Sequence, residues 1–331
     1  MTKLPVGVVG VGRLGNFHAK IYASIENADL VGVTDTNIER ANTVAKEHRC
    51  TAFPSLDALL AKVKAISIAS TTRSHYEIAK KALSAGVHLL IEKPITTTVA
   101  EAQELIELAR KNNCKIQVGH IERFNPALLA LEHYSLAPMF VESHRLAQFN
   151  PRGTDVDVVL DLMIHDIDII MSLVKSPVTE IHANGIPVVS DSIDIANARL
   201  QFENGCVANV TASRISQKKM RKMRMFQKDA YISIDFSDGL AEIFRLTDAD
   251  DPKTKSTMML GEIEAGKNKK KIVYEQPETK EVNALKYELE SFIDAIQNGK
   301  EPAVTAEEGM QALAVAGRIL DAIKNQQHFK L

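Results

Sequence analysis

The segment Gly10-Val11-Gly12-Arg13-Leu14-Gly15 constrains this chain more than any other. It follows the apolar run VGVVG at residues 6–10 and opens a helical pattern, so it sits where a strand turns into a helix. The first glycine permits the tight turn, the second lets a pyrophosphate approach the backbone, and the third lets helix and strand pack closely. The free amides at the helix start, at Arg13 and Leu14, face that phosphate with the positive end of the helix dipole. Asp35 ends the next apolar run, twenty residues after Gly15, where a carboxylate can bind the adenine ribose hydroxyls. Because a carboxylate there repels a 2′-phosphate, the expected cofactor is NAD rather than NADP. Arg40 could soften that preference, or could pair with Glu39 or Asp35. A glycine-rich turn followed by a helix-capping aspartate is the plainer alternative.

The rest of the first 120 residues repeats the same grammar. Strand candidates are residues 30–34, 65–70, 88–92 and 115–119, with a shorter edge candidate, CTAF, at 50–53. Between them lie helical patterns, one with Phe17, Ile21 and Ile25 four apart, another through His75, Ile78, Ala79 and Leu83 that stops at Gly86. Strands alternating with helices predict a six-stranded, doubly wound parallel sheet. After Phe124 the pattern changes. A helix is predicted over 159–174, then long β-type segments with turns at Asn204-Gly205 and Asp238-Gly239 through Tyr274, then helices over 284–298 and 305–326. The expected division is an α/β domain over 1–122 and, over 123–331, an α+β domain with a large, mostly antiparallel open sheet. Residues 248–255 and 266–271 read as exposed loops.

Composition narrows the partners. With 331 residues, 45% of them hydrophobic, and a formal charge of −2, the chain has room for two cores and no field to draw nucleic acid or a membrane surface. The basic stretch Lys218 to Arg224 alternates Met and Arg, as a strand with one solvated face would; an anion site is the alternative. Three scattered cysteines and no long apolar span lead us to expect a cytoplasmic protein without a disulfide framework. The long β segments need cover that few helices can supply, so a homodimer or homotetramer packed through that sheet is expected.

Two further signals carry chemistry. Glu92-Lys93-Pro94 ends the fifth strand, at the carboxyl edge where open α/β sheets bind ligands. Pro94 holds Lys93 extended, which suits a lysine that hydrogen-bonds a substrate hydroxyl; a surface lysine in a turn is the alternative. In Asp161-Leu-Met-Ile-His165-Asp-Ile-Asp168 the polar residues at 161, 165 and 168 share one face of an otherwise apolar helix. Such a stripe is costly unless partnered or functional. The alternatives are a satisfied core histidine with capping aspartates, or a metal triad, which lacks any accompanying His/Cys cluster; no metal is expected.

Together these pieces resemble the Gfo/Idh/MocA oxidoreductases. The likeness rests on the glycine motif, Thr71-Thr72 with His75, Glu92-Lys93-Pro94, Gly119-His120 with Arg123-Phe124, the Asp161/His165 helix, and Tyr287-Glu288…Phe292…Ala295-Ile296 near the end. It implies a Rossmann domain and hydride transfer between a sugar carbon and nicotinamide. Lys93, Asp161 and His165 fall on the positions around the reacting hydroxyl, and Ser70, Thr71, Thr72, His75, Glu92 and Lys93 on positions lining the cofactor. Residues 118–126, 160–168 and 213–216 are similar to the branch that oxidises C3 of UDP-N-acetylglucosamine on the way to a 3-amino sugar for lipid A. Asp155-Val156-Asp157 stands where many members carry glycines, which is compatible with that nucleotide-sugar branch. Another sugar or an inositol-like polyol is the alternative substrate, and a non-catalytic NAD-sensing regulator the alternative role.

Ordinary histidine titrates near ~6.5 and lysine near ~10.4, so His165 is the expected base, Asp161 its support and Lys93 the cation on the developing alkoxide. The reverse assignment, Lys93 as base, needs its pKa lowered by burial. For a nucleotide sugar, Arg123, Arg152 and Arg214 are the candidates to meet the diphosphate.

Overall fold

Six parallel strands build the first sheet: β1 (Leu4–Val9), β2 (Ala28–Thr34), β3 (Thr51–Ala52), β4 (Ala65–Ile68), β5 (His88–Glu92) and β6 (Ile116–Gly119). In this computed structural model, which describes residues 2–150, 156–248, 258–265 and 268–326, their order is β3-β2-β1-β4-β5-β6. Val6, Val8, Ile66, Ile68, Leu89 and Ile91 are fully buried, as central strands covered on both faces require. The strand order reverses between β1 and β4, and that switch point is where the glycine turn lies. The predicted doubly wound sheet is the one that forms, down to an edge strand of two residues inside CTAF.

The connecting helices are α1 (Arg13–Tyr22), α2 (Ile38–His48), α3 (Leu56–Leu60), α4 (Thr72–Ser84) and α5 (Val99–Lys111). Local chemistry sets their ends: Asn37 and Ser55 accept the N–H three residues on, and Thr98 with Glu101 forms a reciprocal capping box. One helix face differs from expectation. Of the stripe Phe17, Ile21, Ile25, Phe17 is exposed, Ile21 packs half-buried against the core and Ile25 is buried just beyond α1; within the helix Gly15, His18, Ala19 and Tyr22 are buried.

Two compact units divide the chain: residues 1–124 with 282–314, and 125–281 with 315–331. The sequence pattern places everything after residue 122 in the second domain, whereas 282–314 fold with the first unit. After the short α6 (Pro126–Leu129) and α7 (Ile164–Val174) of the second unit, the chain forms α8 (Ala284–Gln297). Leu285, Leu289, Phe292 and Ile293 of α8 join the core of Val6, Val8, Tyr22 and Val33. The last helix, α9 (Ala306–Gln326), contributes residues to both units.

The second unit holds a nine-stranded sheet made of β7 (Phe140–Leu146), β8 (Val178–Ile186), β9 (Ile195–Phe202), β10 (Val207–Ser213), β11 (Met220–Gln227), β12 (Ala230–Asp235), β13 (Leu240–Asp248), β14 (Met258–Ala265) and β15 (Asn268–Glu275). Its order is β14-β15-β13-β12-β11-β7-β10-β9-β8, and among the described residues only the β7–β10 pair is parallel. β11 is the strand with one solvated face that the Met/Arg alternation predicted: Met223 and Met225 are buried, Lys222 reaches Asp235 at 3.0 Å, and Arg224 lies 3.8 Å from Glu142. The loop expected over 266–271 is a correction. From Asn268 the chain is strand, with Lys270 paired to Asp248 and Lys271 to Thr247. Charged side chains on an edge hairpin hid that strand from the hydrophobic pattern. Residues 249–255 of the other expected loop lie outside the described residues.

Candidate active site

In the first unit the glycine turn behaves as its spacing demands. Gly10 has φ +80°, and a Cβ there would lie 2.7 Å from the Ser70 backbone; a Cβ on Gly15 would fall 1.9 Å from the Gly10 carbonyl. Gly12 faces open space, which is what a bound pyrophosphate needs. Arg13 and Leu14 start α1 with exposed side chains. Asp35 accepts from Val11 N at 2.8 Å and from Asn37 N at 2.8 Å, so its carboxylate ties the glycine turn to the end of β2. Arg40 takes the ion-pair alternative: its guanidinium lies 3.7 Å from the Asp35 carboxylate. Gly10, Gly12, Asp35, Arg40, Ser70 and Thr71 line one cavity of about 600 Å³, walled on its apolar side by Pro54, Leu56 and Ile78. These residues fit the adenosine and diphosphate of NAD, and when bound that cofactor supplies the hydride-accepting carbon.

Further along the same edge, Thr71 precedes α4, Thr72 opens it, and the Ser70 and Ser74 hydroxyls share a 2.8 Å hydrogen bond. His75 is buried, with Nδ1 3.0 Å from the Pro94 carbonyl and Nε2 3.2 Å from that of Ser70. Burial lowers its pKa against those carbonyls and Glu92, which raise it. It therefore braces the turn after β4 against the turn after β5. Lys93 is half-buried at the carboxyl end of β5, between the buried Glu92 and Pro94.

Glu92, the residue before Lys93, belongs to a polar cluster that the sequence does not reveal. The Glu92 carboxylate meets His18 Nε2 at 2.9 Å with both residues buried. A Cβ at position 119 would sit 2.9 Å from that carboxyl, so Gly119 is the residue that admits it. Glu288 of α8 is fully buried, and its backbone carbonyl accepts from the Gln117 side chain at 3.0 Å. Burial first, then repulsion from Glu92, pushes the Glu288 carboxyl well above the ordinary carboxylate range. The signal available in the sequence is the family-like Tyr287-Glu288 ending. Arg123, a candidate for the diphosphate, is 3.3 Å from Glu308, a residue that also accepts from Thr305 N at the start of α9.

In the second unit the helix expected over 159–174 forms, but its first turn, Val159–Met163, is π-helical before α7 begins at Ile164. Such widened turns recur at functional sites. Asp161 and His165 are half-buried, while Ile164, Asp166, Ile167, Asp168, Ile169 and Ile170 are buried. The expected stripe thus splits: 161 and 165 keep access to solvent and 168 does not. Asp166, which sequence reasoning passed over, receives a two-pronged contact from Arg145, with Nε at 2.8 Å and Nη2 at 3.0 Å. Arg214, the second diphosphate candidate, is buried, donates to the Val156 carbonyl and lies 3.8 Å from Asp194. The third, Arg152, and Asp155 lie outside the described residues. Among the described residues no group of three or more His, Cys, Asp or Glu side chains could hold a metal ion, and no helix is long and apolar enough to cross a membrane.

UDP-N-acetylglucosamine 3-dehydrogenase from Acidithiobacillus ferrooxidans is 45% identical over 245 residues, 74% of this chain and 78% of that protein. A crystal form of that enzyme superposes with a TM-score of 0.87 at 38% identity, covering 98% of this chain and 99% of the other. Myo-inositol 2-dehydrogenase from Thermotoga maritima is 25% identical over 98% of both chains. The oxidoreductase-family NAD-binding Rossmann fold matches residues 4–120, and that family's C-terminal alpha/beta domain matches residues 148–331. The chain belongs to the Gfo/Idh/MocA family of NAD-binding oxidoreductases.

Proposed function

We propose that this protein oxidises the C3 hydroxyl of UDP-N-acetylglucosamine to the 3-keto nucleotide sugar, with NAD taking the hydride. The likeness that carries the reading is the 45% identity to the Acidithiobacillus ferrooxidans enzyme of that name. The ketone is the functional group an aminotransferase needs, consistent with a place before a 3-amino sugar of the kind used in lipid A.

In this reading His165 accepts the hydroxyl proton, a role an imidazole fills near neutral pH without a large shift. Asp161, one helical turn before it, supports the imidazolium. Lys93 donates to the alcohol oxygen and stabilises the negative charge that grows there. The rigid frame around Lys93, with Glu92 on His18 and Pro94 on His75, limits the positions its stem can take. Arg152 is assigned to the diphosphate, since Arg214 is buried and Arg123 is engaged with Glu308. A homodimer or homotetramer is proposed to pack through the nine-stranded sheet. Phe140, Phe226, Tyr231, Phe244 and Tyr274 run across five strands of it as a ladder of rings 5.0–6.0 Å apart, and Phe226 is 39% exposed.

The full-length likeness to myo-inositol 2-dehydrogenase favours a second reading, oxidation of an unphosphorylated polyol. A spectrophotometric screen of NAD reduction with UDP-N-acetylglucosamine, free N-acetylglucosamine and myo-inositol separates the two. The expected result is turnover of the nucleotide sugar alone, because the remote nucleotide supplies the binding energy that positions C3. Comparable turnover of a free sugar or inositol would replace the first reading with the second.

A further inference from the structure

The helix that carries Asp161 and His165 is apolar almost all round. Val159, Met163, Ile164, Ile167, Ile169 and Ile170 are each fully buried. Hydrophobic burial fixes the rotation of an amphipathic helix by giving it one inner face, and this helix has no such single face. A slip of one residue would turn the imidazole of His165 by about 100°. Its π-helical first turn departs further from regular geometry. Directional polar contacts are suited to set where His165 points.

Two buried polar anchors flank the Asp161–His165 turn, one on each side. Arg145 of β7, 4% exposed, forks onto both oxygens of Asp166, 1% exposed, the residue next to His165. A planar guanidinium meeting a carboxylate through two N–H groups accepts only one orientation. On the other side, the segment leading into the helix is held at three consecutive residues. Arg214 donates to the Val156 carbonyl, Ile193 N donates to Asp157 at 2.9 Å, and Val158 N donates to the Ile193 carbonyl at 2.9 Å. Arg214 is itself located by Asp194, whose carbonyl accepts from Arg214 N at 2.9 Å and whose carboxylate lies 3.8 Å from its Nε. That carboxylate is wholly buried and receives Val188, Val189 and Ser190 N–H groups at 2.8, 2.7 and 3.0 Å and the Ser190 hydroxyl at 2.7 Å. Burial alone would raise its pKa, but these donors together hold it at about 2, so it is a fixed anion.

We propose that Arg145 with Asp166, and Arg214 with Asp194, are positioning residues that set the rotation and register of the helix presenting Asp161 and His165. The proposal rests on the reading of His165 as base. It also reassigns Arg214 from the substrate to the frame.

The test uses the intact enzyme and three variants: Arg145→Lys, Arg214→Lys and the double Arg145→Met/Asp166→Leu. Each lysine keeps the charge and loses the fork. The double replaces a buried ion pair by apolar groups of similar size, a change often neutral for stability, so it keeps the test open where a single variant unfolds. Melting temperature, NAD affinity, KM, kcat and the pH profile of kcat are measured, with His165→Asn alongside. The expected result is kcat lower by on the order of 10–100-fold, with melting temperature, NAD affinity and KM little changed and the acidic limb of the kcat profile displaced. A folded double variant with parental kcat and pH profile overturns the proposal, as does a loss of kcat that only tracks a loss of folded protein. If His165→Asn keeps full turnover, the catalytic reading itself fails and the positioning role falls with it. If His165→Asn is inactive while the arginine variants are normal, only the positioning role fails.

Discussion

The backbone N–H of Val11 donates to the Asp35 carboxylate at 2.8 Å, and the Arg40 guanidinium stands 3.7 Å from the same oxygen. One carboxylate thus bonds the glycine turn and lies beside the Arg40 cation. Asp35→Ala should do two things. It should weaken NAD by on the order of tenfold, the cost of losing hydrogen bonds to a charged group. It should also leave Arg40 available to a phosphate, so that the NAD-over-NADP preference narrows or inverts. Steady-state kinetics with both cofactors check this, and adding Arg40→Ala should abolish the gain for NADP. A parent enzyme that uses both cofactors equally would contradict the assignment.

The Glu288 carboxyl gives a pH dependence with a defined sign. Folding raises its pKa, chiefly by burial and then through Glu92. In the unfolded chain it ionises near ~4.3. The stability it contributes is therefore complete below the unfolded value and is lost as pH rises through the folded one. Glu288→Gln keeps a neutral group of the same shape and removes the titration. The melting temperature of the variant relative to the parent should increase as pH is raised above about 4.3. A difference that stays flat across that range would mean that Glu288 does not titrate in this way.

How much of this was legible in the sequence depends on distance along the chain. Gly10, Gly12, Gly15 and Asp35 were readable because their partners lie within one βαβ unit, at spacings set by backbone geometry. His18 was not, since the alternative stripe Phe17, Ile21, Ile25 fits a helical period equally well; only Glu92, 74 residues away, makes a buried histidine on α1 affordable. Asp166 was hidden in the same way. Local spacing singled out 161, 165 and 168, but Arg145, on a strand the hydrophobic pattern did not flag, decides that 166 is the anchored aspartate. The return of α8 to the first unit was equally unreadable, because an amphipathic helix does not state which core it covers.

That return has an energetic consequence. Phe292 is fully buried in the core shared with Val6, Val8 and Tyr22. Phe292→Ala should cost about 3–5 kcal/mol, as large-to-small changes in packed cores do. Because the same helix carries Glu288, the variant should also lower NAD affinity, whereas a comparable truncation in the second unit, Leu200→Ala, should not. Denaturant unfolding and NAD titration of the two variants make the comparison. Equal effects on NAD would mean that α8 is not part of the cofactor-binding frame.

The chemistry is tested most directly at Lys93 and His165. Lys93→Met keeps the apolar stem and removes the charge; His165→Asn keeps a polar group and removes the base. Each should reduce turnover by on the order of 100-fold or more, the usual loss when acid–base or electrostatic help is removed, while NAD binding survives. The double variant should be little worse than the worse single, because both groups serve one proton-loss step. The pH profile then assigns the roles. With His165 as base, kcat of the parent falls as the imidazole protonates on acidification, and His165→Asn loses that limb while Lys93→Met retains it. If instead Lys93→Met erases the limb and His165→Asn keeps it, the lysine is the base, and its pKa must be lowered by the bound complex.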